Sequence, residues 1–169
     1  MIGKVIKYDK KDINTDLIIP ARYLTLIDPD YLAKHCMEDL DDKFIQNQKK
    51  FGYSIMVAGS NFGCGSSREQ APIALKAAGI NCIIAPSFAR IFFRNAINIG
   101  LPIIEFENIE MMKTDDDLEI NFTEGIIKNI STKIEYQIRN LPSFLQDIIS
   151  VNGLINYARN KILKDTRIL

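Results

Sequence analysis

Polar and apolar positions alternate from Gly3 to Tyr8, which predicts a short strand with one buried face before a polar turn at Asp9 to Asp12. The apolar segment Leu17-Ile18-Ile19 follows and should end at Pro20. Asp28-Pro29-Asp30 has the chemistry of a helix entry, so a short helix is expected over Tyr31 to Met37. Residues 39–50 are rich in charge, with Phe44 and Ile45 as anchors, and fit either a helix or a mobile excursion.

The central third has a clearer rhythm. The apolar run Ile55-Met56-Val57-Ala58 marks Tyr53 to Ala58 as a buried strand, and Ser66 to Ala78 reads as a helix that stops at Gly79. Ala71, Ala74, Leu75 and Ala78 recur at helical spacing and give that helix a narrow face suited to close packing. Ile80 to Ala85 predicts the next strand, Ser87 caps a helix through Asn98, and Leu101 to Phe106 forms another strand after Gly100. Strands alternating with helices imply parallel pairing. Further on, Asp115-Asp116-Asp117 reads as an exposed turn before three short strands, Leu118 to Phe122, Ile126 to Ile130 and Ile134 to Ile138, joined as antiparallel hairpins. One or two helices from Phe144 to Asn160 close the chain.

A chain of 169 residues with 47% apolar content suits a single compact α/β domain over residues 1–169. Its 21 basic and 21 acidic residues cancel, and no basic cluster has the aromatic interleaving of a nucleic-acid face. The cations from Arg159 to Arg167 read as a solvated helix end. With neither a signal peptide nor an apolar run near the roughly 18 residues of a membrane span, a cytoplasmic protein is expected. Cys36, Cys64 and Cys82 are too scattered for a disulfide framework or a metal cassette, and Cys82 has the apolar neighbours of a buried thiol.

The chemistry concentrates in Gly59-Ser60-Asn61-Phe62-Gly63-Cys64-Gly65-Ser66-Ser67-Arg68-Glu69-Gln70. Two readings stand. In one, Ser66 or Ser67 caps the following helix and Ser66 with Glu69 forms a capping box, without any ligand. In the other, glycines allow close approach to a small anion, helix amides favour its charge, and Arg68 grips a carboxylate. A Walker loop would need a Lys after Gly, and a dinucleotide fingerprint a glycine where Arg68 stands. His35 is the one histidine, which disfavours a self-contained Ser-His-Asp hydrolase and leaves His35 a surface or helix-packing residue.

Three separated motifs add to this: Asn14-Thr15-Asp16-Leu17-Ile18-Ile19-Pro20-Ala21-Arg22-Tyr23-Leu24, the Gly59 to Gln70 stretch, and Ser87-Phe88-Ala89-Arg90-Ile91-Phe92-Phe93-Arg94-Asn95. In this order they resemble the small subunits of 3-isopropylmalate dehydratase, within the aconitase superfamily. The resemblance implies a swivelling β/β/α domain with a mixed or barrel-like sheet and flanking helices. It implies a hydro-lyase that interconverts 2-isopropylmalate and 3-isopropylmalate in leucine biosynthesis. Activity would require a large subunit carrying a [4Fe-4S] cluster, whose open iron binds the substrate hydroxyl and a carboxylate; this chain would bind no cluster or metal.

Carried over position by position, the resemblance makes Ser66 the base that takes the proton from carbon and Asp16 a residue that orients acid-base groups of the partner. Ser67 and Arg68 would contact a substrate carboxylate, with Arg22 as a second positioning cation. Arg90 and Arg94 have either a binding or a structural reading. Thr25 and Leu26 lie in the loop that faces the variable substituent, where apolar Leu26 suits an isopropyl group. Homoaconitase and citraconate or methylmalate hydratase small subunits are the neighbouring alternatives, and a non-catalytic carboxylate-binding module is the alternative of another class. Gln70 replaces the histidine of many Ser-Arg-Glu-His motifs in the superfamily.

Overall fold

The computed structural model describes residues 1–166, and the side chains of residues 1–163, so Arg167 of the cationic tail lies outside the described residues. Seven strands form one sheet in the order β4-β3-β2-β1-β5-β6-β7. β1 (Ile2–Tyr8), β2 (Tyr53–Ala58), β3 (Cys82–Ala85) and β4 (Ile103–Glu105) run parallel. β5 (Asp117–Asn121), β6 (Ile126–Asn129) and β7 (Ile134–Gln137) continue from β1 as an antiparallel meander. The α/β class and both pairing modes expected from the sequence are observed.

Strand alternation divides the core. Ile6, Met56, Ala58, Ile83 and Ala85 face a cluster built with the helices, while Val5, Ile55, Val57, Cys82 and Ile84 face a second cluster. Leu118, Ile120 and Ile127 of β5 and β6 belong to that second cluster. They share a sheet with β1 yet cover the back of β2 and β3, which requires the sheet to curl over itself into a half-barrel. This explains why β3 is buried along its whole length and reads as a continuous apolar run.

On the helical side, α1 (Thr15–Ile18) is a single turn capped by Asn14, whose side chain accepts from Leu17 N at 2.9 Å. A 3-10 turn, Ala21–Tyr23, leads to α2 (Pro29–Lys34), where Asp28 Oδ1 accepts from Tyr31 N at 2.8 Å as the Asp-Pro entry predicts. The charged stretch resolves into helix α3 (Phe44–Phe51), anchored by fully buried Phe44. α4 (Gln70–Ala77) and α5 (Arg90–Asn98) follow β2 and β3; α6 (Ser143–Ser150) and α7 (Leu154–Thr166) pack beyond α5. Lys76 ties these layers, donating to the carbonyls of Ile99 and Gly100 and to Asn152 Oδ1. Among the described residues no helix is long and apolar enough to cross a membrane.

Three local expectations are corrected. α4 starts at Gln70 and not at Ser66, and the capping box is absent because Glu69, without a side-chain cap bond, is the N-cap. Pro72 gives the reason: a helix begun at Ser66 would put it in the interior, whereas from Gln70 it lies in the first turn, where its missing N–H is tolerated. Ser87 does not cap α5 either, since its Oγ accepts from Asn61 N at 2.9 Å and the N-cap is Ala89. The Asp115–Asp117 turn is not wholly exposed. Asp116 is buried, accepting from Lys113 N and Asn129 Nδ2, both at 2.8 Å.

Candidate functional site

Past the C-terminal end of β2 the chain is stitched to its neighbours on both sides. Toward the segment after β1, Asp12 N donates to Ser60 O at 3.0 Å, Gly63 N to Ile13 O at 2.8 Å, and Thr15 N to Cys64 O at 2.9 Å. Toward the segment after β3, Phe62 N donates to Ser87 O at 3.1 Å and Ala89 N to Phe62 O at 2.9 Å. The loop therefore extends the parallel sheet irregularly, through bridges Asn14–Cys64 and Phe62–Phe88, at the strand ends where open α/β sheets place their ligands.

Side chains fix the path. Phe62 is fully buried, edge-on to Phe92 at 5.2 Å and to Phe88 at 6.1 Å. Gly63 has φ 76°, and a Cβ there would stand 2.2 Å from Cγ of Phe92, so only glycine fits. Asn61 and Asp12 both adopt left-handed backbone, at φ 58° and 55°, and hold each other through Asn61 Nδ2 donating to Asp12 Oδ1 at 2.7 Å.

This scaffold delivers Ser66 and Arg68 to α1. Thr15 Oγ1 donates to Ser66 O at 2.9 Å, while Arg68 Nη1 lies 2.6 Å from Asp16 Oδ1 and donates to Ile19 O at 3.1 Å. The Arg68 side chain is only 13% exposed, its ion pair with Asp16 and its hydrogen bond to Ile19 are both made at Nη1, and Nη2 and Nε carry no hydrogen bond among the described residues. A cleft of about 230 Å³ opens here, lined by Thr15, Gly65, Ser66, Arg68, Arg90 and Phe92 among others. Two guanidinium side chains and an exposed serine hydroxyl in one small cleft suit a carboxylate or phosphate. Among the described residues, the larger cavities of about 570 and 470 Å³, beside α7 and between β4 and α6, lack this constellation.

The other sequence candidates distribute differently. Ser67 is exposed on the same turn but does not line the cleft. Arg22 is held by Asp39 through Nη1 and Nη2 at 2.9 and 2.5 Å and by Glu38 at 3.1 Å. Thr25 and Leu26 form an exposed loop tip, Leu26 at 51%. Arg94 lines a separate apolar pocket with Phe144 and Leu154. The grips of Thr15 and Glu38 were not anticipated; the Asn-Thr-Asp run signals the first as a capped turn, but nothing local signals the second. Glu38 also accepts from Tyr23 Oη at 2.8 Å and pairs with His35 Nδ1 at 2.9 Å, and these partners, His35 foremost, lower its pKa to about 2.

An iron–sulfur cluster does not fit this chain. Cys36 and Cys82 are buried in different core clusters, where burial pushes both thiols up, and Cys64 is separate and only partly exposed. Among the described residues no group of three His, Cys, Asp or Glu side chains is placed to hold a metal.

Known proteins with this sequence and shape are consistent in kind. The profile of the aconitase C-terminal domain matches residues 8–109, from the end of β1 past β4 and across the cleft. The 3-isopropylmalate dehydratase small subunit of Ruminiclostridium cellulolyticum is 58% identical over 161 residues, covering 95% of this chain and 97% of the relative. That of Caldicellulosiruptor saccharolyticus is 52% identical over 164 residues, covering 96% and 93%. The crystal structure of 3-isopropylmalate dehydratase from Methanocaldococcus jannaschii matches with a TM-score of 0.91 at 40% identity, over 100% of both chains.

Two outcomes test this geometry. Gly63→Ala should lower unfolding stability by about 3 kcal/mol or more in denaturant titration, because left-handed strain and overpacking add; a near-neutral result would contradict the tight contact with Phe92. Glu38 has a depressed pKa, so its contribution is present above its ordinary value of 4.5 and is lost as pH falls toward about 2. Comparing wild type with Glu38→Gln by denaturant titration, the stability difference should shrink as pH falls through that acid window, and a difference that does not move there would contradict the ionised hub.

Proposed function

This chain belongs to the aconitase C-terminal domain family, among the small subunits of 3-isopropylmalate dehydratase, and we propose that it serves in that enzyme. With a large subunit it interconverts 2-isopropylmalate and 3-isopropylmalate by dehydration and rehydration in leucine biosynthesis, in the cytoplasm. The [4Fe-4S] cluster belongs to the large subunit, and residues 1–169 act as one swivelling unit that closes over it. The observation that carries this reading is the cleft joining Ser66, Arg68 and Arg90, with Arg68 gripped from one side only.

Each residue of this chain then has a physical task. Ser66 takes the proton from the substrate carbon, as an alkoxide that the guanidinium groups of Arg68 and Arg90 in the same cleft favour over the neutral hydroxyl. Arg68 holds a substrate carboxylate through its remaining nitrogens, and Ser67 adds a hydroxyl on the same turn. Asp16 orients Arg68 through the 2.6 Å contact, a nearer task than positioning groups on the partner. Closure removes water from the cleft, which strengthens these ionic contacts well beyond their value at an open surface.

The variable substituent meets the tip at Thr25 and Leu26. Leu26 and Ile27 are 51% and 75% exposed, apolar surface suited to cover an isopropyl group once the partner is in place. A carboxylate at that position would need a cation, and Arg22 already has two carboxylate partners.

Co-expression with the large subunit and anaerobic cluster reconstitution should give reversible isopropylmalate dehydration. An intact cluster with turnover of homoaconitate in place of isopropylmalate would overturn the substrate assignment. Arg68→Lys should lower kcat/KM about 100-fold, since a point charge cannot replace a planar fork shared between Asp16 and substrate; unchanged kinetics would remove Arg68 from carboxylate binding.

A further inference from the structure

The loop tip that carries Leu26 is exposed and has no side-chain bond of its own to hold it among the described residues. Thr25, Leu26 and Ile27 make no side-chain hydrogen bond among the described residues, and the 3-10 turn before them closes with Leu24 N donating to Ala21 O at 3.2 Å. Their conformation is therefore set where the loop begins, at Tyr23, and where it ends, at α2. Those ends are clamped together. The Tyr23 ring stacks on the His35 ring at 3.7 Å with 9° between planes, and both meet Tyr31 edge-on, at 6.3 and 5.1 Å.

Glu38 is the hub of the clamp. Its Oε1 accepts from Tyr23 Oη at 2.8 Å and from Arg22 Nη2 at 3.1 Å, and its Oε2 lies 2.9 Å from His35 Nδ1. Since an ionised carboxylate only accepts, Nδ1 is the donor, and this orients the imidazole face against Tyr23. Arg22 also meets the Tyr23 ring, its Cζ 4.7 Å from the ring centroid, and its fork on Asp39 holds it there. Beneath the hub, Met37 N donates to Ile18 O at 2.8 Å, linking the clamp to the same α1 turn whose Asp16 grips Arg68.

We propose that Glu38 and His35 are positioning residues for substrate selectivity: they fix Tyr23, and Tyr23 places Leu26 against the variable substituent. Neither touches substrate. The inference rests on the reading that Leu26 meets that substituent, and it adds the residues on which discrimination depends. Loss of the clamp frees the tip to adapt, so a branched apolar group loses its matched surface while a small one loses little.

The test uses the enzyme reconstituted with its large subunit, and compares kcat/KM for isopropylmalate with that for methylmalate, which carries a methyl in place of the isopropyl. Glu38→Ala should lower this ratio about tenfold, chiefly by raising KM for isopropylmalate. Glu38→Gln keeps an acceptor oxygen for Tyr23 and Arg22 and should restore most of it. His35→Phe keeps the stacked ring without Nδ1 and should fall between. A ratio that does not move, or equal losses on both substrates, would overturn the proposal. Should Glu38→Ala fail to assemble, Tyr23→Phe, which retains the stack but loses the bond to Glu38, is read by the same ratio. If the wild-type complex turns over neither substrate, the functional reading fails by itself. Thermolysin cleavage at residues 25–27 of the isolated chain then decides the clamp: several-fold acceleration by Glu38→Ala supports it, and an unchanged rate refutes it.

Discussion

Backbone hydrogen bonds on both flanks of Phe62, Gly63 and Cys64 are the constraint on which the rest of the site depends. A glycine-rich loop free in solvent would lose the directionality that chemistry needs, because glycine has the largest conformational entropy to surrender. Here the loop is an irregular strand between the extensions of β1 and β3, with Phe62 as its buried anchor. Ser66 and Arg68 follow directly, so their position is inherited from the sheet. Thr15 and Asp16 complete the grip from a capped one-turn helix held by the same bonds.

The site thus has two parts of different character. The cationic cleft, with Arg68 largely covered, is held by backbone bonds on both flanks and is chemically explicit. The segment from Arg22 to Ile27 is exposed and apolar at its tip, and takes its shape from the aromatic and ionic clamp behind it. Both converge on α1, through Asp16 and through the carbonyl of Ile18 that receives Met37 N. Under the proposed function, reaction chemistry and substituent recognition are mounted on one element while using separate side chains. The curled sheet explains how so short a chain supports both, since β5 and β6 seal the back of the parallel strands while the helices pack their other face and the site forms at the strand ends.

Much of this was legible in the chain. The strand at β1, the apolar runs that fill β3 and most of β2, and the Asp-Pro entry of α2 each report local physics and are present in the fold, although β1 buries adjacent Val5 and Ile6 on opposite faces in place of a simple alternation. The errors have a common cause. The neighbours of Ser66 and Ser87 suit capping, but Pro72 forbids an earlier start for α4 and a tertiary partner, Asn61, claims Ser87. Asp116 looked exposed in a run of acids until Asn129, on a neighbouring strand, supplied its bond. The hub at Glu38 was illegible for the same reason: Arg22 and Tyr23 are 15 or more residues away and meet it only through the fold. Ser66, Arg68 and Asp16 were named from motif resemblance, and the geometry supplies what the motif does not, namely which atoms of Arg68 are already engaged.

The most direct measurement is turnover of isopropylmalate by the reconstituted complex carrying Ser66→Ala, with assembly and cluster content determined in the same preparation. Loss of a positioned general base predicts a fall in kcat of about 10² to 10⁴, with assembly and cluster unchanged. Near-normal turnover by that complex would contradict the assignment of proton transfer to Ser66.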